Sequence, residues 1–159
     1  MNGSTESRAW EAFERSGAPR VTFSWARARH MLPLVRHIVA EVVVCREDLH
    51  RMHPEKADLD DRRRRLGWPQ RSRRYQLQED ITTTERRLAA ALEELKGLGV
   101  VILDPATGEV GFPTMIAKRR SLFSWLPGEE DLGHCYVADD PQRHPIPAMY
   151  KRSEARRQA

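Results

Sequence analysis

Two apolar stripes separated by a strongly charged segment constrain this chain more than any other feature. Met31, Leu34, Ile38, Val42, Cys45, Leu49 and Met52 recur three or four residues apart, a spacing that only one face of a helix produces. Leu77, Ile81, Thr84, Leu88, Ala91, Leu95 and Leu98 repeat it within good helix formers such as "ERRLAAALEELK". Ser24 is placed to cap the first helix ahead of Trp25. Pro33 lies near enough to its start to kink it without ending it, and Pro54 predicts its end near His53. Gly97 and Gly99 supply the stop for the second helix. Neither stripe is stable alone in water, so the expectation is a long antiparallel helical hairpin over residues 25–98, packed seam to seam like a short coiled coil.

Beyond Gly99 the period shortens. "VVILD" reads as a strand, "PATG" as a turn and "EVGFP" as a partner strand ended by Pro113. "RRSLFSWLPG" and "DLGHCYVAD" follow as further strands, with Leu122 and Ser124 alternating against Phe123 and Trp125. The fold class expected is therefore α+β: the hairpin packed on a small antiparallel β-meander over residues 100–138. A single domain would span residues 21–147. It would be preceded by a flexible leader (1–20) and followed by an extended arm and a basic tail (148–159) that is frayed or weakly helical.

Composition excludes some functional classes. The longest apolar run, "IVAEVVVC", is broken by Glu41 and falls far short of the roughly twenty residues a membrane span needs. The first residues lack the apolar core of a secretory signal. Cys45 and Cys135 form no CxxC pair. These features together predict reduced thiols and a cytoplasmic location, without a membrane partner.

The net charge of +4 is local. Residues 54–74 hold eight basic and four acidic side chains, and the rest of the chain balances to zero. Arg62, Arg63, Arg64, Arg65, Arg71, Arg73 and Arg74 surround Trp68, which could serve as a stacking platform. This group is the candidate nucleic-acid surface. The competing expectation is a solvated connector in which Asp58 pairs with Arg62, Asp60 with Arg64 and Asp61 with Arg65 at helical i, i+4 spacing, leaving Arg63, Arg71, Arg73 and Arg74 unmatched.

The order of several short motifs resembles an uncharacterised prokaryotic family, domain of unknown function 2203. "LGVVILDPATGEVGFP" (98–113) is similar to its helix-to-strand signature, through Leu98, Gly99, Val100, Asp104, Gly108, Phe112 and Pro113. "WLPGEE" resembles its Trp-x-x-Gly-Glu, with Trp125, Gly128 and Glu129, and "RHPI" its closing Arg-x-Pro, with Arg143, Pro145 and Ile146. "FSWARARHMLP" resembles its opening, with Phe23, Leu32 and Pro33. The chain departs from the pattern twice. Gly111 stands where the family usually carries Asp, and "HCY" stands where it tends to carry Trp-His, so that Cys135 and Tyr136 occupy those places and His134 need not be the family's histidine. The resemblance implies a fold and a compartment and no activity.

Polar residues in these motifs supply the ligand-binding candidates Glu129, Arg143 and Asp104, with His134 nearby. A structural ion pair is the competing expectation for Glu129 and Arg143. His50 and His53 share a helical face but lack a third ligand, and His30 and His37 read as neighbours of the seam, so no metal site is expected. Cys135 and His134 are adjacent on a strand, point to opposite faces and so do not form a nucleophile–base pair. No phosphate loop, nucleophile elbow or dinucleotide fingerprint is present, and neither a cofactor nor a catalytic residue is expected. The chain reads as a non-catalytic protein acting through an unknown protein partner or its own copies. Nucleic-acid binding at the connector, and ligand binding or catalysis at Glu129 and Arg143, are the alternatives.

Overall fold

The computed structural model describes residues 8–16 and 21–155. Its centre is a pair of long helices, α2 (Trp25–Asp61) and α3 (Trp68–Leu98), joined by one 3-10 turn (Arg63–Arg65) and packed along their length. A five-stranded antiparallel sheet follows, in the order β1 (Val101–Asp104), β2 (Glu109–Ile116), β3 (Arg119–Trp125), β4 (His134–Val137) and β5 (Asp140–Pro145). Two short helices flank this body, α1 (Arg8–Arg15) and α4 (Ala148–Ala155). The molecule is α+β, a helical hairpin on a meander.

Helix α2 begins where expected. The Ser24 hydroxyl accepts the Arg27 N–H at 3.2 Å, satisfying one of the free donors of the first turn. Helix α3 ends where expected, with Gly99 in the left-handed region (φ 80°) and its N–H bonded to the Lys96 carbonyl at 3.0 Å. The end of α2 differs from expectation. The helix runs through Pro54 to Asp61. An interior proline costs a helix about 3 kcal/mol. The continuation carries Leu59 into a second core with Met52, Leu66, Leu77 and Ile81. Burying each such side chain contributes about 1.5–3 kcal/mol, enough to offset the lost hydrogen bond. For the same reason α3 starts at Trp68, well before its apolar stripe.

Helix α2 has two apolar faces. Ile38, Val42, Cys45 and Met52 belong to the seam stripe and are buried. Ala28, Leu32, Val35 and Val39 form a second row and join the sheet residues Val110, Phe112, Phe123 and Cys135 in the main core. Leu34, expected in the stripe, remains 44% exposed, because the helix rotates to serve two partners.

The sheet is also two-faced. Phe112, Phe123 and Cys135 are cross-strand neighbours on the helix side. The next row, Gly111, Ser124 and His134, points away from the helices. Strand β2 does not stop at Pro113 but runs on to Ile116, beyond the reach of β1. There the Pro113 carbonyl accepts the Phe23 N–H at 2.7 Å and the Thr114 hydroxyl donates to the Phe23 carbonyl at 2.8 Å. Proline is tolerated at this place because its missing N–H is on a strand whose neighbour has ended. The turn before β2 needs Gly108: its φ is 81°, and a Cβ there would sit 2.8 Å from Pro127 and 2.9 Å from Val39.

Two segments expected to be irregular have structure. Within the presumed leader, α1 packs Ala9 against Val101, Leu103 and Leu122 on the outer sheet face, with Trp10 and Phe13 beside them. Residues 141–145 of the expected arm belong to β5, whereas α4 in the basic tail agrees with the weakly helical end expected there. The remainder of the leader (1–7 and 17–20) and of the tail (156–159) lies outside the described residues.

Candidate functional site

Arg143 on β5 and Glu129 in the β3–β4 loop meet on the outer sheet face. The Arg143 Nη1 and Nη2 groups donate to the two Glu129 carboxylate oxygens at 2.7 and 2.8 Å. Arg143 Nε donates to the Ser124 hydroxyl at 2.9 Å, and Nη2 reaches the Ser124 carbonyl at 3.3 Å. The Ser124 hydroxyl in turn donates to Glu109 Oε1 at 2.7 Å, which also accepts the Tyr136 hydroxyl at 2.8 Å. His134 Nδ1 lies 3.5 Å from Glu129 Oε1. Six polar side chains thus share one patch, and β-strand alternation puts them there: Glu109, Ser124, His134 and Tyr136 have the parity that faces away from the helices.

The loop carrying Glu129 is held by α2. Trp25 Nε1 donates to the Leu132 carbonyl at 2.9 Å, Arg29 pairs with Asp131 at 2.7 Å, and Arg36 donates to the Glu129 carbonyl at 3.1 Å and to the Glu130 carbonyl. Trp125 Nε1 donates to the Glu129 carbonyl at 3.0 Å, and the Leu126 N–H to its carboxylate at 3.0 Å.

Electrostatics follow from this closure. Burial pushes the Glu129 carboxyl up, but the Arg143 hydrogen bonds and the Leu126 N–H outweigh it and hold the group below the usual carboxylate range. Burial, then the hydrogen bond donated to Glu109, pushes the Tyr136 phenol well above its ordinary value, so it stays a neutral donor. Burial likewise raises the Cys135 thiol. A neutral buried thiol is a poor nucleophile. The Ser124 hydroxyl is fully buried and bonded on both sides. The patch is therefore suited to fastening β5 and the loop to the sheet.

The remaining candidates are elsewhere. Asp104 does not join Glu129 and Arg143. Its side chain accepts the Ala106 N–H at 2.9 Å and its carbonyl the Gly108 N–H at 2.8 Å, which shapes the β1–β2 turn. Cys135 faces the main core, on the opposite side from His134. Cys45 and Cys135 are both buried free thiols. Among the described residues no three His, Cys, Asp or Glu side chains converge as metal ligands.

At the hairpin tip the arginines divide. Arg62 pairs with Asp58 at 2.5 Å, as the i, i+4 spacing suggested. Asp60 is engaged instead by Lys56 at 2.7 Å and by Arg74, across the turn. Arg73 makes a two-pronged contact to Glu55 at 2.7 and 3.0 Å. Arg73 and Arg74, unmatched by local spacing, are thus partnered across the helices. No carboxylate among the described residues pairs with Arg63, Arg64 or Arg65.

Comparison with known proteins adds one result. The profile of the uncharacterised conserved protein family DUF2203 matches residues 21–146. The chain belongs to this family. No curated protein and no solved structure matches the chain. In this DUF2203 member the Glu129–Arg143 pair joins two of the motifs that carry the resemblance. Gly111, where the family pattern has Asp, sits opposite Ser124 on the same face. A Cβ at Gly111 would come within 3.2 Å of the Leu103 side chain, which would have to shift slightly to admit a larger residue there. Glu109, Ser124 and Tyr136 were not singled out from the sequence. Their shared strand parity with His134 was the available signal.

Proposed function

We propose that this chain is a non-catalytic protein of the prokaryotic cytoplasm that works by binding protein, and that the flank of its hairpin joins a second copy of itself. The observation that carries this reading is a groove of about 420 Å³ between α2 and α3, lined by His37, Ile38, Ala40, Glu41 and Val44 from one helix and Arg87, Ala90, Ala91 and Glu94 from the other. Val44 is 47% exposed on it. Arg87 and Glu41 bridge the two helices there. A two-fold interface brings the same patch of both copies together, and this apolar strip, whose Arg87 and Glu41 charges are already paired, can meet its own copy without stranding them. The engagement of Glu129 and Arg143 with each other supports the non-catalytic part. Among the described residues no helix is long and apolar enough to cross a membrane.

Light scattering over a range of concentrations tests the reading. The wild type is expected to dimerise, and Val44→Glu to remain monomeric with unchanged circular dichroism. A wild-type protein that is monomeric at every concentration would refute self-association.

A further inference from the structure

We infer that the hairpin tip binds single-stranded nucleic acid by stacking bases on Trp68 and Tyr75 and neutralising phosphates with Arg63, Arg64, Arg65 and Arg71. Trp68 and Tyr75 are 76% and 68% exposed. They are seven residues apart on α3, which puts them on one face about 10 Å apart along the axis. That separation is wide enough for bases of one strand to stack on each ring. Both rings lie in water although burying an aromatic side chain is among the most favourable changes available to a folded chain.

The charges beside them are the ones the fold does not consume. Arg62, Arg73 and Arg74 hold Asp58, Glu55 and Asp60. Arg63, Arg64 and Arg65 are exposed and make no ion pair among the described residues, and Arg71 uses only its Nε, at 3.1 Å from the Leu66 carbonyl. The unpaired cations therefore flank the start of α3, within five residues of Trp68 along the chain. Positive charge interleaved with aromatic faces is complementary to a flexible polyanion with accessible bases. A duplex fits less well, because its bases are already stacked. A membrane surface fits less well too, since the aliphatic side chains of the tip, Leu59 and Leu66, are turned into the second core.

The test is fluorescence anisotropy of labelled oligonucleotides about ten nucleotides long, single-stranded RNA and DNA, with a blunt duplex and phosphatidylserine vesicles as rivals. Binding to single strands is expected to fall about 20- to 50-fold between about 50 and 200 mM salt, as neutralisation of three or four phosphates requires. Replacing Arg63, Arg64 and Arg65 by Ala should lower the magnitude of the log–log salt slope by about 2. Trp68→Ala should weaken binding roughly tenfold or more, whereas Trp68→Phe should stay close to wild type. These side chains are exposed, so the variants should fold normally, as circular dichroism would verify. The paired control Arg86→Ala with Lys96→Ala removes charge far from the tip and should leave affinity within about twofold. The inference is overturned by absence of binding at the lower salt or by tip variants that bind like wild type. It is also overturned by a control that weakens binding as much as the tip variants, or by equal or tighter binding of the duplex or the vesicles.

Discussion

Arg143, at the sheet end of the molecule, makes four hydrogen bonds inside a half-buried network, whereas Arg63, Arg64 and Arg65, at the hairpin tip, have no carboxylate partner among the described residues. The same side chain meets different surroundings. At the sheet end, residues from β2, β3, β4, β5 and the β3–β4 loop converge, so one guanidinium can satisfy several groups at once and stays 20% exposed. At the tip only two helix ends and a turn are present. The Arg62–Asp58 pair there keeps more than half of each side chain in water, where it is worth a few tenths of a kcal/mol. What holds the tip is therefore its small apolar cluster, and what holds the outer sheet face includes its polar network.

The sharpest test of that contrast removes apolar contact from the tip. Leu77 is fully buried between the helices. Leu77→Ala is expected to cost about 3–4 kcal/mol in urea unfolding, with amide exchange accelerated first around residues 50–80. A loss under about 1 kcal/mol would mean that charge pairs hold the tip after all.

The converse change is Arg143→Ala, which strands a mostly buried Glu129. A loss of about 3 kcal/mol is expected, with Arg143→Lys recovering only part because it cannot make the two-pronged contact. An effect no larger than that of a surface pair would erase the difference between the two ends.

Acid titration distinguishes them next. The Glu129 carboxyl titrates below its ordinary 4.5 in the folded state, so its contribution is complete above that pH and disappears as the pH falls through the lowered value. Urea midpoints measured down the pH scale should fall in that window for the wild type and fall less for Glu129→Gln. Glu55 and Asp60 at the tip are lowered as well, by the hydrogen bonds from Arg73 and from Lys56 and Arg74. The Glu55–Arg73 pair is nearly half exposed, so about 1 M salt should abolish its part of the pH dependence and spare that of Glu129. The smallest effect is expected from Arg62→Ala, a few tenths of a kcal/mol by the same unfolding assay.

Reading the hairpin from the sequence works because a 3.6-residue period survives any detail of packing: Leu77, Ile81, Ala91 and Leu95 are buried as the stripe predicts. The Ser24 cap and the Gly99 stop are legible for the same reason, since each is a backbone requirement met within one turn. Pro54 misleads because its local cost is outweighed by Leu59 and Leu66 meeting α3, a contact with no local signature. The polar patch was half legible. Glu129 and Arg143 stood out in short motifs, while Glu109 and Tyr136 become significant only when register places both against Ser124 and Arg143.

By itself the sequence determined the alternation of periods, and with it two helices, a run of antiparallel strands and a positively charged connector. These depend on interactions within a few residues. Only the tertiary structure decided which arginines would be consumed and which left free. Arg73 and Arg74 find Glu55 and Asp60 across a turn, at sequence separations of 18 and 14, where no spacing rule applies. The side chain that pairs is set by which helix faces meet, and that is fixed by the apolar seam and not by the charges.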